Sequence, residues 1–491
     1  MSAAKAAAGG GVRVRKLGER VAERIIAEIV ARGWPVGENL GAERELLVRY
    51  GISRATFREA IRQVEQHGAA HMRRGAGGGL IVAKRPRAAA VRAMVAFFEL
   101  THVSFADQHE VRETLEVAAA RLAAERITAA KAADLAQIVE SLRSETDYVR
   151  NVAGNMQVRV GVAEATGNPA LALFIEALNG VQREILKALR FDESAFQLDR
   201  TQSVDFKHRL VQALTRHDAD EAERLVHEDA NRRLLAMTSA FTRTATPDPS
   251  VDPHQALPVW WEADEPPHKL SDRVVYRIIN DIAKLGWKVG HNLGREADLQ
   301  PRYQVSRAVL REAIRQLELH GIATMKAGLQ GGLIISQVDP AYTVELVTTY
   351  LRSTPFDVLH IWETQSAIQV FAAMRLAQRA DAEDRQALRA AMDALRDARL
   401  DAYIERANVL HREISDRTGN RVISLFNRVL IRNALEFLPP VPEPARVWLV
   451  DMHQKVVDAI CAGDFRSAER EMTEIFRRSG RWFAQLGDME K

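Results

Sequence analysis

Cysteine is almost absent: Cys461 stands alone in 491 residues, so no internal disulfide can form. The expectation is a reducing compartment, the cytoplasm. Cys461 lies in the apolar helical run VVDAICAGD and is expected to be a small buried hydrophobe rather than a reactive thiol. Long apolar runs are also missing, and none approaches the ~18 residues that a membrane span needs. The small, Gly- and Ala-rich start, MSAAKAAAGGG, has no apolar core of the signal-peptide kind, and residues 1–12 read as a flexible tail. Net charge is small too, 68 Lys and Arg against 65 Asp and Glu. Any affinity for nucleic acid must therefore come from local clustering of cations. With 47% apolar and 27% charged residues, the composition suits several folded domains.

What the chain does have is itself, twice. SRATFREAIRQVEQHG starts at Ser53 and SRAVLREAIRQLELHG at Ser306, and only four of the sixteen positions differ. KLGERVAERIIAEIVARGWPVGENLG at Lys16 returns as KLSDRVVYRIINDIAKLGWKVGHNLG at Lys269, with the same offset of 253. EATGNPALALF at Glu164 returns as DRTGNRVISLF at Asp416, and VQALTRHDADEAERLV returns as VDAICAGDFRSAEREM near the end. The order of landmarks is kept while the offset shrinks to 246. A repeat this long is a duplicated two-domain protein rather than a solenoid.

Each copy opens with about 70 residues of short elements. Val21, Ile25, Ile26 and Ile29 recur at helical spacing, as do Val274, Ile278, Ile279 and Ile282. A second helix is predicted from Glu43 to Tyr50. Gly51 breaks it, and Ser53 is placed to cap a third. The short break reads as a helix-turn-helix. A basic, Gly-rich turn between two extended runs, AAHMRRGAGGGLIVAKR, reads as a β-hairpin wing, and IATMKAGLQGGLIIS is its counterpart. The remainder of each copy has almost no strand signal and repeats Ala, Leu and charged residues with a period near 3.6, so it reads as a helical bundle. The fold is therefore expected to be mainly α. Two winged helix-turn-helix domains, 13–86 and 267–339, are each followed by an all-α bundle, 95–240 and 345–488. A Pro-rich linker, 243–266, lies between the copies. Trp260 and Trp261 within it read as a local apolar anchor.

In the repeated helix, Phe57, Ile61 and Val64 form the anchoring face. Arg54, Arg58 and Arg62 recur every four residues and form one exposed stripe. Arg73, Arg74, Lys84, Arg85 and Arg87 follow. An arginine-tipped helix can enter a major groove, and wing glycines let backbone approach phosphate. The stripe alone is equally a solvated amphipathic surface; the turn, cap, wing and duplication favour the DNA reading.

ERELLVRYGISRATFREAIRQVEQHG followed by RRGAGGG resembles the winged helix-turn-helix of the GntR family of bacterial transcription regulators. The bundle resembles the FCD-type ligand-binding domain of the FadR subfamily, and the likeness covers both copies. The resemblance implies operator contacts from Arg44, Arg54 and Arg58, with Thr56, Arg73, Arg74 and Gly77 beside them. In the second copy it implies Arg307 and Arg311, and Lys326 and Gly331 of the wing are further candidate contacts. Ala297 replaces Arg44 there and Ala327 replaces Arg74, so the second copy is expected to hold DNA less tightly or to read a different half-site. GntR-type regulators act as dimers on two-fold operators. The duplicated chain is either a covalent pseudo-dimer or one half of an assembly with four reader helices.

The same resemblance implies a divalent metal held by an aspartate and three histidines. Those positions fall on Asn155, Arg159, Lys207 and Asp229 in the first copy and on Ala407, His411, His453 and Ile475 in the second. The set is broken, and no metal site or cofactor is expected. Arg112 matches an arginine of the family's pocket, with Ser366 as its counterpart. Arg112, Arg159 and Lys207 either converge to bind a small carboxylate directly, or pair with helix carboxylates such as Glu116. His411 and His453 are either a remnant ligand pair or satisfied core polarity. A ligand-responsive regulator is the expectation, with double-stranded operator DNA and a small organic acid as partners. A metal-assisted hydrolase fails on the broken ligand set and no catalytic residues are expected. A non-specific architectural DNA binder is the remaining alternative.

Overall fold

A computed structural model of the chain describes residues 17–73, 75, 77–101, 103–188, 193–243, 270–319, 321–326, 328, 331–336, 338–437 and 441–489. The expected tail and linker, Trp260 and Trp261 included, lie outside the described residues, as do Arg74 and Ala327. The chain forms two compact units: residues 1–89 with Arg352–Thr354, and the rest.

The first unit contains α1 (Leu17–Ala31), α2 (Glu43–Tyr50), α3 (Arg54–Gln66) and an antiparallel hairpin of β1 (Ala70–Arg73) and β2 (Gly79–Val82). Its core joins Val21, Ile25, Ile26 and Ile29 of α1 to Phe57, Ala60, Ile61 and Val64 of α3. Gly51 ends α2 in the left-handed region at φ 62°, where its N–H donates to the Leu47 and Val48 carbonyls. Ser53 Oγ then accepts from the Thr56 N–H at 3.2 Å and starts α3. These two local devices set the angle between α2 and the helix that carries the arginine stripe. Gly79 closes the wing against the preceding loop: a Cβ there would stand 2.2 Å from Asn39 Oδ1 and 2.7 Å from the Gly41 carbonyl oxygen.

In the second unit a seven-helix bundle comes first: α4 (Arg87–Leu100), α5 (Phe105–Arg126), α6 (Ala129–Ser144), α7 (Tyr148–Ala165), α8 (Pro169–Ala188), α9 (Glu193–Thr215) and α10 (Ala219–Arg243). The second winged domain follows, with α11 (Leu270–Lys284), α12 (Glu296–Tyr303), α13 (Arg307–Leu319), β3 (Ala323–Lys326) and β4 (Gly332–Ile335). The second bundle has α14 (Ala341–Arg352), α15 (Val358–Arg379), α16 (Ala382–Arg396), α17 (Tyr403–Arg417), α18 (Arg421–Phe437), α19 (Glu443–Ala462) and α20 (Phe465–Met489). Each bundle starts earlier than 95 and 345. Pro86 and Pro340, with no N–H to satisfy, stand immediately before α4 and α14 and fix the helix start. The second helix-turn-helix is less regular than the first. Pro301 lies inside α12, and Gln304, not glycine, takes the left-handed position at φ 55°.

The two bundles share a core. Residues of α4, α5 and α8 pack in one apolar cluster with those of α14, α15, α17 and α18. Phe174 and Phe426 stack at its centre with ring centroids 3.9 Å apart. The TGN motif of each copy serves this junction. Asn168 Oδ1 caps α8 by accepting from the Ala170 and Leu171 N–H groups, which frees its Nδ2 to donate to the His360 carbonyl at 2.9 Å. Asn420 caps α18 in the same way, and its Nδ2 donates to the Asp107 carbonyl at 3.0 Å. Arg375 adds an ion pair to Asp107 at 2.8 Å, and Arg126 pairs with Glu363. Cys461 is half-buried rather than buried, because it falls one residue before the end of α19. No helix among the described residues is long and apolar enough to cross a membrane.

Candidate functional site

On α3 the anchoring face is buried and the arginine stripe is exposed. Arg54 lies 3.8 Å from Glu43 with most of its side chain in solvent. Arg44, Arg58 and Arg62 are exposed and have no ion-pair partner among the described residues. Thr56 lies within the first turn of α3, and its hydroxyl is 3.0 Å from Ser53 Oγ. At the hairpin, Arg73 donates to the Gly77 carbonyl at 2.8 Å, which pins the wing tip. Apart from the long Arg54–Glu43 pair, the exposed arginines of α3 are thus unneutralised among the described residues.

The second reader helix differs. Glu296 accepts from Arg307 Nε at 2.7 Å and from Arg311 Nε at 2.9 Å. These two cations hold the Glu296 carboxyl below the usual range, against a small burial penalty. Lys326 ends β3 directly opposite Gly332, and Gly331 precedes β4. An exposed pair of this kind is worth little in stability, but it occupies both arginines that the family resemblance assigns to DNA.

In the first bundle a small cavity of about 30 Å³, partly open to solvent, is lined by apolar side chains and by Glu116, Arg159, Lys207 and Asp229. The apolar lining includes Val158, Val162, Ile175, Phe206, Leu210 and Val226. Three of the four positions that the family pattern assigns to metal ligands thus meet here. The fourth, Asn155, connects through Ser203, whose Oγ donates to Asn155 Oδ1 at 3.2 Å and accepts from Lys207 Nζ at 2.6 Å. Arg112 does not line the cavity. It donates to the Leu178 carbonyl at 2.5 Å and to Gln182, which also accepts from Arg159 at 3.2 Å. Ion pairing with Glu116, weighed against direct anion binding, is also present: Arg159 lies 3.6 Å from it.

Sequence reasoning missed Arg233. On α10 it pairs with Asp229 at 3.2 Å and reaches Glu116 at 2.6 Å. Its only signal was an Asp229–Arg233 spacing of four, which reads as an ordinary surface pair on a helix. The cluster therefore buries four basic side chains, Arg112, Arg159, Lys207 and Arg233, with two carboxylates, Glu116 and Asp229. Burial opposes ionisation of Asp229, yet Arg233 and Lys207 hold its carboxyl well below the usual range. Burial pushes Lys207 down to about 7, helped by Arg159 and Arg233 and resisted by Asp229. Burial likewise lowers Arg112 to about 9 and Arg159 to about 10. Buried polar atoms of Arg112 Nε and His109 Nε2 lack hydrogen-bond partners.

The second bundle has none of this charge. α5 and α15 are both 22 residues long with ends offset by 253, so Arg112 corresponds to Gln365, not to Ser366, and Glu116 corresponds to Gln369. α10 and α20 are both 25 residues long, offset by 246, which pairs Asp229 with Ile475 and Arg233 with Ser479. His411 and His453 are buried and their Nε2 atoms lie 3.2 Å apart. His453 Nδ1 donates to the Leu449 carbonyl at 2.7 Å, and His411 Nδ1 faces the Gln369 side-chain amide at 3.1 Å. The two rings meet through their Nε2 atoms inside the core. Among the described residues no group of three or more His, Cys, Asp or Glu side chains could hold a metal.

Winged helix-turn-helix domains with an exposed cationic reader, joined to helical bundles with buried polar interiors, define a ligand-responsive DNA-binding regulator. The model of bacterial regulatory proteins of the gntR family matches residues 17–79 and 270–329, and that of the FCD domain matches 107–232 and 360–478. The chain belongs to the GntR family, in its FadR-like, FCD-bearing branch, as a tandem duplication of the whole unit. It is similar to the uncharacterized HTH-type transcriptional regulator YcbG of Bacillus subtilis, 25% identical over 42% of this chain and 86% of that protein. It is also similar to the HTH-type transcriptional repressor NanR of Escherichia coli, 27% identical over 47% of this chain and 87% of that one. Among solved structures, Streptococcus agalactiae GntR covers 43% of this chain and 99% of its own at 18% identity, with a TM-score of 0.35.

Proposed function

We propose that this regulator reads a two-half-site operator with the two winged helices of one polypeptide, and that its first bundle alone senses a small organic anion. The observation that carries the effector reading is the surplus of buried cations in the first bundle. Three arginines, Arg112, Arg159 and Arg233, face two carboxylates there with Lys207 beside them, and the matching positions of the second bundle are neutral. Burying uncompensated charge costs several kcal/mol, so the cluster is built to receive an anion that restores the balance. Arg159 and Lys207, in the cavity wall, are its contacts; Arg112 and Arg233 hold the surrounding charge in place. The second bundle, with His411 and His453 tied to each other, is the structural partner.

Support for the pseudo-dimer comes from Asn168 and Asn420, equivalent residues that each cross to the other bundle. The operator contacts we assign are Arg44, Arg54, Thr56, Arg58, Arg73, Arg74 and Gly77 in the first copy. Arg307, Arg311, Lys326 and Gly331 make the weaker second set. A ligand alters operator affinity only by binding one arrangement of the readers better than the other.

The test is operator selection from genomic fragments, then band shifts with and without a panel of organic acids. One acid should change operator affinity by roughly 5–150-fold, and sedimentation should give one chain per operator. If no anion moves the affinity, or if two chains occupy each operator, the corresponding half of the proposal is wrong.

A further inference from the structure

Lys207 is an unusual member of the cation cluster, and the anion reading leaves its chemistry unused. It is fully enclosed in the bundle and lines the cavity. It makes no ion pair within 4 Å among the described residues, although Asp229 shares the same cavity. Its Nζ donates to Ser203 Oγ at 2.6 Å and, more weakly, to the Ser203 carbonyl at 3.3 Å. Ser203 Oγ spends its own proton on Asn155 Oδ1, so toward the lysine it acts as an acceptor. Two N–H bonds are thereby used. An ammonium would need an acceptor for a third. No other protein acceptor stands within hydrogen-bonding distance of Nζ among the described residues, and the side chain lines the cavity. Burial and the neighbouring arginines favour the neutral amine. A desolvated lysine beside other cations is the setting in which an amine becomes a nucleophile toward carbonyl groups.

Resting on the anion reading above, we propose that the effector is a small 2-oxo acid, held by Arg159 through its carboxylate and captured by Lys207 as an imine. In the addition step the Nζ lone pair forms a bond to the carbonyl carbon. The carbonyl oxygen becomes a hydroxyl, taking the proton that leaves nitrogen. The carbinolamine then takes up one proton and loses water, leaving a protonated imine with no change in oxidation state. That cation replaces the positive charge that the neutral lysine lacked, with the Asp229 carboxylate in the same cavity to face it. Val158, Val162 and Leu210 supply apolar walls for a short aliphatic substituent. The second bundle has His453 at the position of Lys207 and cannot form this bond.

The experiment incubates the full chain with pyruvate, the smallest 2-oxo acid, and cyanoborohydride, followed by intact mass measurement and peptide mapping. Lactate, with a hydroxyl for the carbonyl, is the reversible control in calorimetry. Lys207→Met and Lys207→Arg are run in parallel, with circular dichroism to check folding. The expected result is one reduced adduct, mapped to the peptide containing Lys207 and absent from both variants. A wild-type chain that binds pyruvate with no adduct, or with adducts spread over surface lysines, overturns the imine and leaves the anion site standing. Failure of both acids and of larger 2-oxo acids to bind overturns both readings together.

Discussion

Phe174 of the first bundle and Phe426 of the second lie face to face, 3.9 Å between centroids and 1° between planes. They occupy the same position in the two copies, so the ring of one half rests on its own duplicate. Phe98 completes the group with an edge directed at Phe426, 5.6 Å away. A residue that meets its own equivalent marks the local two-fold relation between the bundles.

Phe426→Ala should cost about 3–5 kcal/mol, because a fully buried ring leaves a cavity at the junction. Thermal unfolding of the variant and of Phe174→Ala checks this. The double variant should fall short of the sum of the two, since each change removes the same stack. Additive losses would show that the rings act independently.

Arg54→Ala with Arg58→Ala should abolish preference for the operator over random DNA. Each lost base contact is worth about 1–3 kcal/mol. Band shifts at fixed salt decide it, and unchanged preference would remove α3 from the interface.

The matching pair in the second copy should matter less, because Glu296 already occupies Arg307 and Arg311. Arg307→Ala with Arg311→Ala is expected to reduce affinity less than the first-copy pair does. Glu296→Gln should strengthen binding and steepen its salt dependence, since freed arginines release more counterions from phosphate. A flat response to Glu296→Gln would mean that these arginines do not reach DNA.

Acid binding should survive a chelator and be weakened about 10-fold or more by Arg159→Ala, a loss in line with a charged hydrogen bond of about 1.5–3 kcal/mol. Calorimetry in the presence of EDTA separates the two. Binding that disappears with the chelator would restore a metal to the site.

The His411–His453 pair predicts a pH effect. Burial lowers His411 to about 3 and His453 to about 4, from 6.5 in the unfolded chain. Between about pH 6.5 and 4 the unfolded chain therefore binds protons that the folded chain refuses. Stability rises with pH across that window and is lost on acidification, by roughly 2–4 kcal/mol by pH 5. The thermal midpoint should fall between pH 7 and 5, and His453→Gln should shrink the fall. An equal fall in the variant would place the acid sensitivity elsewhere.

The reader domain was legible because its determinants are local. The Gly51 break, the Ser53 cap, the four-residue arginine spacing and the wing glycines each act within a few residues. The duplication was legible for the same reason, as a string. The cation cluster was legible only in part. Arg159 and Lys207 could be placed by counting from TGN and Asp218, but Arg112 points to Gln182 and Leu178 instead of into the cavity. That depends on the rotation of α5, which periodicity does not fix to within one side chain. Arg233 was invisible because its partner Glu116 lies 117 residues away on another helix. The double role of Asn168, cap and bridge, had a visible half, the turn, and a hidden half, the carbonyl across the junction.

The bridge between Asn168 and the His360 carbonyl belongs to one polypeptide. Its formation is therefore first order, with an effective concentration fixed by the chain and independent of how many molecules are present. Dilution does not separate the two halves, so a handful of copies per cell would hold the same paired architecture as a concentrated solution. At this junction the apolar surface of each bundle is covered by the other bundle of the same chain. Each half has therefore been able to change its sequence against a single permanent neighbour.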